Sequence, residues 1–138
     1  MTLIMKQEHW DEMVRHARAG LPNEACGLIA GTADQDTKTI QKVYLLSNPD
    51  HSAEHFSIDP QEQLAAIKDM RARGLSPLGN FHSHPASPAR PSEEDIRLAY
   101  DKGASYLILS LAGETPVLKA FAIVEGAVRV DTIQIERS

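Results

Sequence analysis

The segment from Pro77 to Ile96, PLGNFHSHPASPARPSEEDI, constrains the fold more than any other part of the sequence. It starts as an apolar strand, and Pro85 ends the strand because proline has no backbone N–H to donate to a sheet. Three prolines in residues 85–91 then restrict the backbone of the loop. Ser92, followed by three acidic residues, is typical of a helix N-terminus. The segment therefore predicts a strand, a restrained loop and a helix whose first turn returns to the end of the strand.

Two histidines lie at the end of this predicted strand. Because side chains alternate along a strand, His82 and His84 project from one face while Ser83 points away. Both imidazoles can then reach one ion, with Asp95 from the helix as a third ligand. Two histidines and one carboxylate leave one position of a tetrahedral zinc open, which is typical of catalytic sites rather than structural ones. A simpler interpretation stays open, in which Ser92 and Asp95 only cap the helix and the histidines are incidental.

Other candidate residues lie upstream of this segment. In LPNEACGLIAG, Glu24 directly precedes an apolar strand, so its carboxylate could act as a general base or lie on the surface. His51 and His55 form a rival ligand pair, but turn and strand signals around them disfavour the helix that would bring them together. Cys26, the only cysteine, cannot form an internal disulfide, and a small buried hydrophobic role is more typical than a nucleophilic one.

The hydrophobic periodicity predicts three helices and about seven strands, without repeats or linkers. The helices are predicted at 6–19, 59–74 and 92–102, and the strands at 25–30, 39–46, 55–58, 77–84, 106–111, 117–124 and 128–135, the last two forming a hairpin. Strand runs mixed with helices indicate an α+β (α/β/α-like) fold with a mixed, largely antiparallel sheet packed by helices. At 138 residues, we expect a single domain spanning 1–138.

Composition excludes some classes of function. The net charge is −5 and the basic residues are scattered, which argues against a nucleic-acid partner. No apolar run approaches the roughly 20 residues needed to cross a bilayer, so no membrane association is expected. The first ten residues lack the apolar core of a signal peptide, and a single cysteine fits a reducing compartment. We therefore expect a cytoplasmic protein.

Taken together, Glu24, the run His-Ser-His-Pro at 82–85, Ser92 and Asp95 resemble the JAMM, or MPN-plus, metallopeptidase family. The segments EACGLIAG, HFSIDP and YLILSL are also similar to family core segments, so the resemblance covers roughly residues 3–125. It implies the MPN fold, a curved sheet of cytidine-deaminase-like type packed by helices. Asn80 departs from the pattern, because many family members carry an apolar or aromatic residue there.

The resemblance also implies roles for individual residues. His82, His84 and Asp95 would hold one Zn²⁺ per chain, with water as the fourth ligand. Glu24 would take a proton from that water and pass it to the leaving amine, and Ser92 would hydrogen-bond the oxyanion. The family's MPN-minus branch lacks these residues and provides scaffolds, so the alternative function is a catalytically silent scaffold or binding module.

The compact chain resembles stand-alone prokaryotic members that process small ubiquitin-like sulfur-carrier proteins. This implies hydrolysis after the carrier's C-terminal Gly-Gly, with removal of a cysteine or another extension. A metal-dependent deaminase is disfavoured, because that chemistry pairs one histidine with two cysteines. The sequence leaves open the identity of the carrier, the residue removed, the choice between peptide and isopeptide bonds, the oligomeric state and the physiological metal.

Overall fold

The computed structural model describes residues 1–137, which form seven strands and three helices. In chain order these are β1 (Thr2–Lys6), α1 (Gln7–Gly20), β2 (Cys26–Ala33), β3 (Thr37–Leu46), α2 (Pro60–Ala72), β4 (Ser76–His84), α3 (Glu93–Arg97), β5 (Ser105–Ser110), β6 (Val117–Val124) and β7 (Ala127–Glu136). No helix in the described range is long and apolar enough to span a membrane.

The seven strands form one mixed sheet in the order β1-β3-β2-β4-β5-β6-β7, and β1 also pairs with β7 so that the sheet closes into a barrel. β1 runs parallel to both neighbours, and β4 runs parallel to β5. The remaining four pairings are antiparallel. The α+β class and the mixed, largely antiparallel sheet are therefore confirmed, and β6 and β7 form the expected hairpin.

Helices pack against both faces of the sheet. In β5, Leu107 and Leu109 belong to the same buried cluster as Met13 of α1, whereas the intervening Ile108 packs with Ile96 of α3. Alternation along a strand separates these two faces. The residues of β5 are consequently buried almost throughout, as expected for a strand that is covered on both sides.

The second helix forms as its sequence predicts. Asp59 caps it by accepting a hydrogen bond from the Gln61 N–H at 2.9 Å, and Pro60 occupies the first turn. Gly74, just beyond the helix, has a φ of +71°, a left-handed conformation that ends the helix. Ala66 and Met70 on its inner face pack against β2. The candidate base, Glu24, lies just before the start of that strand.

Three secondary-structure predictions are wrong or incomplete. Residues 55–58 form no strand, because the loop is held instead by Asn48, whose amide donates to the carbonyls of Glu24 and His55. α3 ends at Arg97 rather than near 102, because the Ala99 and Tyr100 N–H groups donate to the carbonyls of Ile96 and Leu98, three and two residues back, which is not the helical pattern. β1 was not predicted, and without it the closure of the sheet could not be anticipated.

Candidate metal centre

The end of β4 and the start of α3 bring three potential ligand atoms together. His82 and His84 are 2% and 5% exposed, and their Nε2 atoms lie 3.2 Å apart. Asp95 Oδ2 lies 3.1 Å from His82 Nε2 and 3.2 Å from His84 Nε2. The three atoms thus form a nearly equilateral triangle at the end of the strand.

The triangle has the dimensions of a zinc site. Ligands about 2.0–2.1 Å from a tetrahedral zinc are separated by about 3.3 Å, close to the distances observed here. Within residues 1–137 this is the one group of three histidine, cysteine or acidic side chains that could hold a metal ion. Nitrogen and oxygen donors without sulfur are typical of catalytic zinc sites. The residues present therefore fit the metal.

The cap of α3 directs the carboxylate toward the histidines. Ser92 Oγ accepts the Asp95 N–H at 3.0 Å, and Asp95 Oδ2 accepts the Ser92 N–H at 2.9 Å, which is a reciprocal capping box. The same Oδ2 atom faces both imidazoles. The capping interpretation and the ligand interpretation are therefore compatible, since one arrangement satisfies both.

Neighbouring groups fix the orientation of the two imidazoles. His84 Nδ1 lies 2.9 Å from the carbonyl oxygen of Pro88, so an Nδ1–H can donate there and leave the Nε2 lone pair facing the other ligands. The ring of Phe56 stacks on that of His82, with centroids 4.6 Å apart and an angle of 25° between the planes. The loop between β3 and α2 thus supports one ligand, and the proline-rich loop supports the other.

Electrostatics keep the aspartate ionised. Burial acts to raise the pKa of Asp95, but the hydrogen bonds with His82 and His84 outweigh it and hold that pKa well below its usual range. Burial also acts to lower the pKa of His84, but the hydrogen bonds with Asp95 and the Pro88 carbonyl, together with the negative charges of Asp95 and Glu24, outweigh it, so the pKa of His84 is raised. The carboxylate is in the form that a cation requires.

Glu24 lies at the same end of the sheet, just before β2. It is 4% exposed, and its Oε1 atom has no hydrogen-bond partner within residues 1–137. Burial raises the pKa of Glu24 to about 8, partly offset by His84. Glu24, His84 and Ser92 all line one cleft with a volume of about 690 Å³, which Leu21 also borders. A ligand in this cleft could therefore contact His84, Glu24 and Ser92.

Three supporting residues were missed by the sequence analysis. Ser83 lies on the opposite face, as alternation predicts, but there its Oγ accepts the Ala25 N–H at 2.8 Å. Phe56 and Asn48, described above, belong to a loop that sequence patterns misassigned in part. A small polar residue within a buried strand, as at Ser83, is the one local signal that could have indicated such a contact.

The structure places the other candidates outside the ligand cluster. His51 and His55 lie in the loop before α2 and do not join the group formed by residues 82, 84 and 95. Cys26 is fully buried, with its thiol 3.3 Å from the Ser47 carbonyl, and burial raises its pKa to about 12. A thiol in this environment has little nucleophilic character.

The chain is similar to known proteins over most of its length. Residues 6–124 match the model of a family described as prokaryotic homologs of the JAB domain. The CysO-cysteine peptidase of Mycobacterium tuberculosis is 31% identical over 134 residues, which cover 96% of this chain and 90% of the relative. The desampylase of Haloferax volcanii is 34% identical over 110 residues, covering 75% of this chain and 76% of the relative.

The fold is also found in a solved structure. A protein from Desulfitobacterium hafniense, determined in solution, is 52% identical and superimposes with a TM-score of 0.92. The match covers 99% of this chain and 94% of that protein. The similarity therefore extends over both the sheet and the ligand-bearing segment.

Proposed function

The chain belongs to the family of prokaryotic homologs of the JAB domain, and from that premise we propose that it is a zinc-dependent peptidase. Its substrate is a small ubiquitin-like protein of the sulfur-carrier type, cut after the C-terminal Gly-Gly to release a cysteine or another extension. The observation that carries this proposal is the triangle of His82, His84 and Asp95, of which His84 lines the same cleft as Glu24.

His82, His84 and Asp95 would hold the zinc through Nε2, Nε2 and Oδ2. When bound there, zinc supplies the Lewis acidity that lowers the pKa of an attacking water toward 7 and polarises the scissile carbonyl. The chain's own contribution is to keep the carboxylate ionised and the two rings oriented. The contacts of Pro88 and Phe56 with the imidazoles orient the two rings.

Glu24 is suited to move the proton. Its Oε1 atom is buried and makes no hydrogen bond within residues 1–137, so it is available to accept a proton from the attacking water. A general base works best when its pKa is near the working pH, and burial raises the pKa of Glu24 to about 8. The protonated carboxyl can then donate the same proton to the leaving amine.

Ser92 is placed to stabilise the developing negative charge on the carbonyl oxygen. Its Oγ accepts the Asp95 N–H, which leaves the hydroxyl hydrogen free to point into the cleft. Removal of one such donor in other enzymes costs about 3 kcal/mol of transition-state stabilisation. Ser92 therefore has two roles, as a helix cap and as a hydrogen-bond donor to the substrate.

The choice of substrate is supported by the relatives. The protein named CysO-cysteine peptidase matches this chain over nearly its full length, and the desampylase matches three-quarters of it. The cleft volume of about 690 Å³ is enough for a short extended peptide such as a Gly-Gly tail with one following residue.

A direct assay tests the proposed function. The protein, loaded with one equivalent of zinc, is incubated with a ubiquitin-like carrier that ends in Gly-Gly-Cys, and the products are weighed by mass spectrometry. We expect loss of the terminal cysteine with the wild-type protein and not with Glu24→Gln. Glu93→Gln is a matched control, because Glu93 is an exposed acid of α3 outside the ligand cluster. Zinc binding without cleavage of any carrier fusion would instead support the scaffold alternative.

A further inference from the structure

A second, smaller cavity lies against His82. Its volume is about 80 Å³, and Asn80, Phe56, Leu98 and Tyr106 are among the residues that line it. It shares no lining residue with the substrate cleft. The cavity therefore contacts two proposed zinc ligands, His82 and Asp95, from a side other than the cleft that Glu24 and His84 line.

Two buried polar atoms of residues on this cavity lack a partner. His82 Nδ1 and Asn80 Oδ1 have no hydrogen-bond partner within residues 1–137, although both atoms are shielded from solvent. The two residues lie two positions apart in β4, so their side chains project from the same face with Cα atoms about 6.5 Å apart. Buried polar atoms are nearly always hydrogen-bonded in native proteins, so this pair requires an explanation.

The two atoms are chemically complementary. His82 Nε2 faces His84 and Asp95, so binding a metal through Nε2 leaves the ring proton on Nδ1. Histidines that bind a metal usually donate that second N–H to an acceptor, which fixes the ring and raises its basicity. His84 has such an acceptor in the Pro88 carbonyl. For His82 the unpartnered oxygen on the same cavity is Asn80 Oδ1, which could serve through a bridging water.

We propose that Asn80 is a positioning residue for His82, and that one water in the 80 Å³ cavity accepts the Nδ1–H and donates to Asn80 Oδ1. A buried water needs about 10–15 Å³ of accessible volume and at least two polar partners, and this cavity supplies both. The inference rests on the proposed function insofar as it takes His82 to be a zinc ligand. It also assigns a role to Asn80, which departs from the family pattern.

Zinc affinity tests the proposal without any substrate. The metal-free protein and its variants compete for zinc with a chromophoric chelator. Asn80→Leu keeps the size of the side chain but removes the acceptor, and we expect it to weaken zinc binding by about 10- to 100-fold. Asn80→Asp retains an acceptor oxygen and should restore affinity to within about threefold of wild type. Leu98→Ala is the matched control, because it alters the cavity wall without removing a polar partner.

A spectroscopic measurement separates positioning from simple loss of structure. In the zinc-loaded wild-type protein, ¹⁵N NMR of the imidazoles should show a protonated His82 Nδ1 whose hydrogen exchanges slowly and is shifted downfield by a hydrogen bond. In Asn80→Leu this signal should move or disappear while the His84 Nδ1–H stays unchanged. If Asn80→Leu does not fold, a slowly exchanging and downfield-shifted signal in the wild type supports the proposal, and a rapidly exchanging one overturns it.

The outcomes distinguish this inference from the proposed function. Tight zinc binding by the wild type, unchanged in Asn80→Leu, would overturn the role of Asn80 and leave the peptidase proposal intact. Absence of zinc binding by the wild-type protein would overturn both. Reduced affinity in Leu98→Ala equal to that in Asn80→Leu would assign the effect to cavity packing and would also overturn the role of Asn80.

Discussion

Ala25 and Ser83 are joined by two hydrogen bonds, from the Ala25 N–H to Ser83 Oγ at 2.8 Å and from the Ser83 N–H to the Ala25 carbonyl at 2.9 Å. Ser83 lies between the two histidines, and Ala25 directly follows Glu24. The pair therefore fixes the distance between the candidate base and the candidate metal ligands, although residues 25 and 83 are 58 positions apart.

Ser83→Ala should reduce kcat while zinc binding is retained. The substitution leaves the buried Ala25 N–H without its acceptor, which costs about 1–3 kcal/mol and loosens the position of Glu24. We expect a loss in kcat of about 10- to 100-fold, since small displacements of a catalytic group have effects of this size. Steady-state kinetics and metal analysis of the same preparation measure both quantities.

Ser57→Ala provides the control for Ser83→Ala. The Ser57 hydroxyl donates to Asp50 in an exposed part of the loop before α2, so its loss should change stability by no more than about 0.5 kcal/mol. Equal effects of the two substitutions on kcat would contradict the positioning role of Ser83.

Ser92→Ala should lower both stability and activity. Loss of the helix cap costs about 1 kcal/mol, and loss of the hydroxyl donor should reduce kcat by about 10- to 100-fold. Ser92→Thr retains the cap and the hydroxyl donor, so it should restore most of the stability and most of the activity. Urea denaturation and steady-state kinetics are the measurements, and an Ala variant with wild-type kcat would argue against an oxyanion role.

Cys26 should be unreactive in the folded protein. Burial raises its pKa to about 12, so near pH 8 the thiolate that reacts with alkylating agents is scarcely populated. We expect no labelling by iodoacetamide in native buffer and complete labelling in denaturant, as measured by intact mass. Rapid alkylation of the folded protein would contradict the structural role of this thiol.

Lys38→Met should destabilise the fold. The buried ammonium group donates to the carbonyls of Leu78 and Gly103 and to Ser105 Oγ, so the substitution leaves three acceptors without their donor. The expected loss is about 1–3 kcal/mol in the free energy of unfolding, as measured by urea denaturation. A loss well below this range would show that the three acceptors find other partners.

The pH dependence of stability gives a second test of Lys38. Burial lowers its pKa from the ordinary value of 10.5. At pH values between the folded-state pKa of Lys38 and 10.5, the unfolded chain therefore binds more protons than the folded chain. In this range the contribution of Lys38 to the free energy of unfolding rises with pH. The free energy of unfolding of the wild type minus that of Lys38→Met should accordingly grow as pH increases through this range. A difference that shrinks would contradict the assignment.

The elements that the sequence predicts well have local causes. The histidine pair follows from strand alternation, and the direction of Asp95 follows from the cap formed by Ser92, which is a contact within four residues. α2 is similarly bounded by the Asp59 cap and by Gly74. In each case the determining interactions lie within a few residues of one another.

The features that the sequence does not reveal depend on distant contacts. β1 continues directly into α1, with Lys6 as both the last strand residue and the helix N-cap, so the helical pattern obscured the strand. Its pairings with β3 and β7 are parallel, and the pairing with β7 brings together opposite ends of the described chain. The stacking of Phe56 on His82 likewise joins a loop to a strand that no local pattern relates.

The metal content of the freshly purified protein tests the central proposal most directly, by elemental analysis of the wild type beside Asp95→Ala and Glu24→Gln. The account predicts one zinc per chain in the wild type and in Glu24→Gln, because Glu24 is the proposed base and not a ligand. It predicts a loss of most of the zinc in Asp95→Ala, which removes one of three ligands at the triangle with His82 and His84. A wild-type protein without stoichiometric metal, or an Asp95→Ala variant that retains it fully, would contradict the account.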